Sequence, residues 1–555
     1  MARRIRWQIV IAAVSIMLIA GLLGAVALRN ASVATPLVGG SYVEAVVGAP
    51  ERPVPLLNDP LADPVGRDLI ALIFDGLVRI GADGLIEPAL AESYEVDASG
   101  TVYQFNLRRN VAWHDGRPFT ADDVVFTLRT LQVADQPGEP TLAAVWQDVL
   151  VDRLDAYTVR ATLTAPFAPF LSMARVPILP AHVFAGNPPE AWTSGSIAER
   201  LVGTGPYRLV ELREDRAVLA AHEGYFGGRP YIERLEVRFI ASPEAAFAAL
   251  GRGDVTAFGA RLTGTAVIDD LPAGVRGAVV PLDEYTTLSF NLRRPPLNNL
   301  NLRRALAHGL NKDALIERAL NGTAMPLDTP ILPGWWAHDP EARWYAPDPA
   351  TAGRILSESG FDRGADGTLA RDGRPLALEL LVDNEPKRRA VADEIARQWG
   401  QLGLRISVVE LDGPALQARL RAHDFDAALH TWTRLGPDPD PFALWHSSRA
   451  DTGLNYAGLA DKEIDDLLAN ARVESELAAR SADYAAFQRR WISLAPSITL
   501  YQPLYRFAAV EALDGTGLDD PESSLHHLLI GREDRYRGIT RWFLKSYREI
   551  QGEVR

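Results

Sequence analysis

From Pro375 to Trp432 the sequence alternates between two periods, and that alternation restricts the architecture more than any other stretch. Residues 376–382 and 405–411 read as strands. Val391, Ile395, Trp399 and Leu402 recur on one helical face that Gly403 ends, and residues 415–422 read as a second helix. Residues 425–432 form a third apolar run, which suits a buried strand. A βαβαβ order needs a parallel sheet with helices packed on it. The last strand cannot continue, because Pro437, Pro439 and Pro441 remove backbone donors and fix φ. The chain therefore leaves the carboxyl edge of the sheet as a stiff loop. It carries Trp432 and Trp445 as flat apolar walls with Asp438 and Asp440 between them, the way small-molecule sites are built beyond strand ends. The alternative is that both tryptophans are core and the Asp-Pro pairs only turn the chain.

A chain of 555 residues exceeds one ordinary core, so two or three domains are expected. A net charge of −14 argues against a nucleic-acid binder. Lysine occurs only at Lys312, Lys387, Lys462 and Lys545; with abundant alanine this is a compositional bias towards arginine, not a phosphate patch. Cysteine is absent, which excludes disulfides, thiolate metal sites, a cysteine nucleophile and a lipidated N-terminal cysteine. Arg3, Arg4 and Arg6 precede an uncharged run from Ile9 to Leu28. At about 1.5 Å per residue that run spans the roughly 30 Å hydrocarbon core, with the arginines on the cytoplasmic side. The sequence thus predicts one N-terminal transmembrane anchor. A cleavable signal peptide is the alternative, since Ala25-Val26-Ala27 and Ser32-Val33-Ala34 have cleavage-like spacing.

After a short linker, residues 42–47 read as an opening strand. The five prolines in 49–64 predict an extended surface segment crossing between lobes. Leu69, Leu72, Ile73 and Leu77 then fall at helical spacing. Asp83-Gly84 and Ser99-Gly100 punctuate short alternating runs, and Thr120 with Asp122 and Asp123 opens a helix, so an α+β unit is expected.

Three blocks in this order, GLIEPALAESYEVDASGTVYQFNLRRNVAWHDGRPFTADDVVFTL from Gly84, GTGPYRLVEL from Gly203 and NLRRPPLNNLNLRRALAHGLNKDALI from Asn291, resemble the family 5 extracellular solute-binding proteins. These are the peptide- and nickel-binding-type receptors of ATP-binding-cassette (ABC) importers. The likeness runs from about Ser41 to Leu504. It implies an α/β, two-lobed periplasmic-binding-protein type II fold with an extra α+β subdomain. Lobe I would comprise 35–56, 201–290 and 497–555, subdomain II 57–200, and lobe III 291–496, after an N-terminal segment 1–34. It further implies a monomeric receptor, without cofactor or metal, that closes on a peptide or similar small polar solute and hands it to a permease and its ATPase subunits. The family places an aromatic at the Trp432 position against the ligand. Peptide-binding members carry an aspartate three residues on, where this chain has Leu435, so Asp438 or Asp440 must replace it or the ligand is not a peptide. Arg175 lies near where nickel-type relatives hold an anionic chelator. Tyr285, Trp335, Trp336 and Tyr501 complete the candidates, each as readily core.

No HExxH, GxSxG or Walker loop occurs, and Gly203-Thr-Gly-Pro-Tyr-Arg208 lacks the last glycine of a dinucleotide loop. His526-His527 reads as a solvated loop, His114-Asp115-Gly116 as a turn, and Arg303 and Arg304 as solvated or ion-paired. Beyond Gly531, Ile539, Trp542 and Phe543 suit a terminal helix, docked on its own lobe or touching membrane or importer. Two other classes stay open: a ligand-sensing or scaffold protein with the same fold, and a secreted hydrolase with a clustered nucleophile and base.

Overall fold

The computed structural model describes residues 32–550 except 82, 134–139, 194–200, 263–270, 434–435, 519 and 521–528, together with Val14, Ser15, Met17 and Ile19. Most of the run from Ile9 to Leu28, and His526-His527, lie outside the described residues. Among those described, no helix is long and apolar enough to cross a membrane.

The two lobes share one twelve-stranded sheet, and the strand Ser497–Val510 belongs to both. Its first half pairs with Glu284–Phe290, Thr286 opposite Tyr501 and Ser289 opposite Ser497. Its second half pairs with Val275–Pro281 and Ala257–Arg261, Pro281 opposite Leu504 and Arg261 opposite Tyr505. A second crossing runs beside it, from Val275–Pro281 through Leu282 and Asp283 into Glu284–Phe290. At the crossing, the Gln502 amide donates to the Leu282 carbonyl at 2.8 Å and the Leu282 N–H donates to the Pro503 carbonyl at 3.1 Å. Two adjacent strands bonded to each other leave one axis about which the lobes can turn.

On the far side of this axis the expected alternation is present. Ala377–Asp383 pairs in parallel with Arg405–Leu411 and with Ala427–Thr433, and the last pairs antiparallel with Glu284–Phe290. The connecting helix Pro386–Leu402 is started by Glu385, whose carboxylate accepts from the Lys387 and Arg388 N–H groups. It buries Val391, Ile395 and Trp399 completely, each stabilising by about 1.5–3 kcal/mol. It ends at Gly403, with φ of +100° and room for no side chain, since a Cβ there would lie 2.6 Å from the Gly367 carbonyl oxygen. Arg303 departs from its expected exposure. It is buried and donates to the carbonyls of Leu297, Leu494 and Ala495, capping the end of the helix Leu477–Leu494 without any carboxylate.

Lobe I continues the sheet through Ser41–Val47, Arg234–Ile240, Arg216–Ala221 and Tyr207–Leu212. An antiparallel four-stranded sheet, Ala91–Val96, Val102–Leu107, Thr158–Thr162 and Leu150–Asp155, forms the α+β unit with the helix Ala121–Leu131, which Thr120 and Asp123 start in a capping box. This unit, subdomain II below, is sewn to lobe I by close backbone approaches. A Cβ on Gly203 would fall 1.7 Å from the Ile73 carbonyl, so only glycine fits the crossover into Tyr207–Leu212.

Two expectations need correction. The proline-rich stretch before the helix Pro64–Ile73 is not an exposed crossing: Pro53, Val54, Pro55, Leu57 and Asn58 are buried. The Asp63 carboxylate accepts from the N–H groups of Glu51, Arg52 and Gly66, satisfying backbone donors in a stretch with no ladder of its own. The terminal segment is not a helix. It makes short 3₁₀ turns at Arg532–Tyr536 and Ile539–Arg541, then a strand Lys545–Ile550 paired with Ser32–Leu37. It does dock on lobe I. Trp542 and Ile539 join that core, and Arg535 makes a two-pronged pair with Asp68 at 2.7 and 2.9 Å and bonds Glu44 at 2.7 Å. All three charged side chains are essentially inaccessible, and Tyr42 and Tyr536 both donate to Glu44 at 2.8 Å.

Candidate functional site

The strand Ala427–Thr433 ends beside the crossing, which decides where its aromatics sit. Trp432 lies opposite Tyr285, the second residue after the crossing. Its ring stacks on Tyr456 with centroids 5.4 Å apart and planes at 17°, and His430 stands edge-on to both. Tyr285, Trp335, Leu327, Leu332, Ile80 and Ile530 form one apolar cluster against which half-buried Trp432 packs. Ile80 ends the short strand Val78–Ile80, which pairs with Ile86–Pro88, and Ile530 comes from the terminal segment, so this cluster draws on both sides of the axis.

Ile80 and Ile530 also line a cavity of about 530 Å³ whose wall includes Arg67, Asp75, Arg79, Arg175 and Tyr225. Burial lifts the Asp75 carboxyl to about 6, against the hydrogen bonds it accepts from Thr204 and Tyr225. Arg79 bonds Glu87 at 2.7 Å. Arg175 donates to the Ser172 carbonyl at 3.1 Å and is half-buried. Of the sequence candidates, Tyr285, Trp335 and Trp432 are therefore brought together, and Arg175 lies on the adjoining wall. Tyr501 is buried one pair along the crossing, opposite Thr286, where burial raises its phenol. Arg261, Arg388 and Glu385 stand within electrostatic reach of it.

The remaining candidates occupy other surroundings. Trp445 is core, edge-on to Trp491 at 5.3 Å. Trp336 covers the guanidinium of Arg480, 5.0 Å from its ring centre. Asp438 and Asp440 do not face the cavity as free carboxylates. Arg480 holds Asp438 at 2.8 Å, with both side chains buried, and Arg472 holds Asp440 at 2.6 Å. Burial raises the Asp438 carboxyl despite the pull of Arg480. The prolines make the loop stiff, but the two arginines, from the helices Lys462–Val473 and Leu477–Leu494, decide where it lies. Leu435 is outside the described residues.

Asp283 was missed by the sequence reading. Buried at the crossing, its carboxylate accepts from the Gly436 N–H at 2.7 Å and from the Trp335 indole at 3.2 Å. The residue that lies on the axis thus grips both the loop after Trp432 and an aromatic of the cluster. A lone aspartate between Leu282 and Glu284 has no local sequence signal for such a role.

Ser289 Oγ lies 2.9 Å from His430 Nε2, the kind of pair a hydrolase needs. Burial pushes the His430 imidazole down to about 3, so it stays neutral near pH 7, and both side chains are closed off from solvent. No group of three or more His, Asp or Glu placed to hold a metal occurs among the described residues. The region presents aromatic faces and arginines beside the two strand crossings.

Comparison with known proteins gives this arrangement a family. Residues 86–453 match the profile of the bacterial extracellular solute-binding proteins, family 5. The chain is 25% identical to the dipeptide-binding protein of Escherichia coli over 472 residues, covering 79% of this chain and 86% of that one. It is 27% identical to the nickel-binding periplasmic protein of Escherichia coli over 444 residues, 74% and 81% of the two chains. In fold it is similar to the oligopeptide-binding protein AppA of Bacillus subtilis in complex with a nonapeptide, with a TM-score of 0.67 at 24% identity over 92% of this chain and 100% of that one.

Proposed function

Because the chain belongs to the family 5 bacterial extracellular solute-binding proteins, we propose that it is the receptor of an ABC importer, capturing a peptide or similar small polar solute between its lobes. The observation that carries this reading is the shared strand Ser497–Val510 with its partner crossing at Leu282 and Asp283. Closure about that axis would enclose a solute against Trp432, Tyr285, Trp335 and Tyr501, with Arg175 on the adjoining cavity wall. Ligand binds the closed arrangement better, and the closed shape is the signal to a permease and its ATPase subunits. Asp438 and Asp440 act as pins for the loop, because a carboxylate already held by an arginine is a poor partner for a solute's ammonium. The run from Ile9 to Leu28 anchors a monomeric receptor on the extracytoplasmic face. No nucleic acid takes part.

The test is the thermal midpoint of the chain from Ser32 to Arg555 against di- to pentapeptides, sugars, polyamines and metal chelates. A solute at about 100 times its dissociation constant adds about 2.7 kcal/mol and raises the midpoint by a few degrees. Shifts with peptides support the peptide reading; shifts confined to another class move the substrate and keep the receptor. No shift, with mass spectrometry finding no solute retained on purification, would overturn it.

A further inference from the structure

Subdomain II and lobe III meet directly, away from the two strand crossings. The Ala168 N–H donates to the Arg472 carbonyl at 2.7 Å. The Arg472 guanidinium lies 5.2 Å from the ring centre of Phe167 and 4.0 Å from that of Phe442, while its Nε bonds Asp440 at 2.8 Å. One arginine is thus sandwiched between an aromatic of each body and held in that plane by the loop carboxylate. The Tyr103 hydroxyl donates to the Phe167 carbonyl at 3.3 Å, and the charges of Arg480 and Asp438 reach its phenol, so the second loop pair lies at the same seam.

Subdomain II moves with lobe I, because Gly205 N–H donates to Ile73 O at 2.8 Å and His114 N–H to Gly203 O at 2.9 Å. Any rotation about Leu282–Asp283 and Gln502–Pro503 that draws lobe III away must break the Phe167–Arg472 sandwich and the Ala168 bond. We propose that Arg472 is a closure contact: it couples the loop following Trp432 to subdomain II and sets how much of the protein is closed, without touching the solute. The proposal rests on the closing-receptor reading and adds to it the residue that tunes closure.

Hydrogen exchange of the full-length protein in detergent, without added solute, tests it. Pro166 and Pro169 have no amide proton, so the segment between them reports Phe167 and Ala168 alone. R472A keeps the backbone carbonyl that Ala168 donates to, so faster exchange there reads opening of the seam and not loss of an acceptor. R472A should speed it about five- to tenfold, and R472K, which keeps the charge beside Asp440 but not the planar stack, by less. Should R472A fail to fold, R472K carries the test alone. A merely local role would speed exchange in the helix Lys462–Val473 and leave Phe167 and Ala168 unchanged, which overturns the proposal. Because no solute is used, failure here is distinguishable from failure of the receptor reading, which the thermal midpoints decide.

Discussion

Arg535 and Arg480 both hold buried carboxylates, in two regions with different work to do. Around Arg535 the side chains of Glu44 and Asp68 are wholly inaccessible and come from a strand and a helix nearly five hundred residues away in sequence, as the separations of 491 and 467 show. Burial alone would lower the Arg535 pKa, but Asp68 and Glu44 outweigh it and raise it well above its ordinary value. This cluster welds the end of the chain into lobe I. Around Arg480 the partner is one loop aspartate, with 7% and 9% side-chain exposure, and the neighbouring pair with Arg472 is more open at 26% and 12%. That gradient from sealed to half-open separates a fixed core from a seam: the Arg472–Asp440 pair stays within lobe III, and the more open arginine is the one that reaches Phe167 of subdomain II.

The largest effect that could break this comparison is at the sealed end. R535M leaves Glu44 buried without a cation and Asp68 with Arg532 alone, 2.8 Å away, and should destabilise by about 4 kcal/mol, within the range for breaking a buried pair. Chemical denaturation checks it, and a loss below 1 kcal/mol would refute the weld. R480M strands only Asp438 and should cost about 3 kcal/mol by the same measurement.

The sequence made the sheet legible and left the pins hidden, for one physical reason. Residues 376–432 carry periods that follow from which face is buried, so strands and helices were placed nearly as they occur. Charges carry no such local signature. Asp438 and Asp440 stand in the sequence as candidate ligand carboxylates, because their arginines lie 42 and 32 residues further on. Arg303 looks solvated because its partners are backbone carbonyls some 190 residues away. Trp432 and Trp445, paired in the sequence as walls of one loop, part company: Trp432 packs against Tyr285 and Trp335, whereas Trp445 is core because it follows the loop back inside.

A smaller effect separates the cavity from both arginine regions. Asp75 titrates at about 6 in the folded chain against an ordinary value of 3.8. A carboxyl raised by folding gives stability that is fully present below about pH 4 and is lost as pH rises through 6. D75N removes that dependence, so its stability relative to the unsubstituted protein should improve by about 1–2 kcal/mol between pH 4 and 7, allowing for water in the cavity. Denaturation at the two pH values measures it; a parallel pH profile would show that Asp75 is not desolvated. The smallest effect calibrates the rest. Lys462 and Asp466 pair at 2.6 Å but with 86% and 59% exposure, so K462A should change stability by less than about 0.5 kcal/mol.

The central claim is that two bodies close about the crossing at Leu282–Asp283 and Gln502–Pro503. The absence of cysteine lets Glu214, exposed in lobe I, and Ser357, exposed in lobe III, be changed to cysteine and spin-labelled cleanly. The distance distribution between them is then measured with and without a solute found by thermal midpoint. The account predicts that saturating solute changes the distribution and narrows it to one closed population. An identical distribution in both conditions would contradict it.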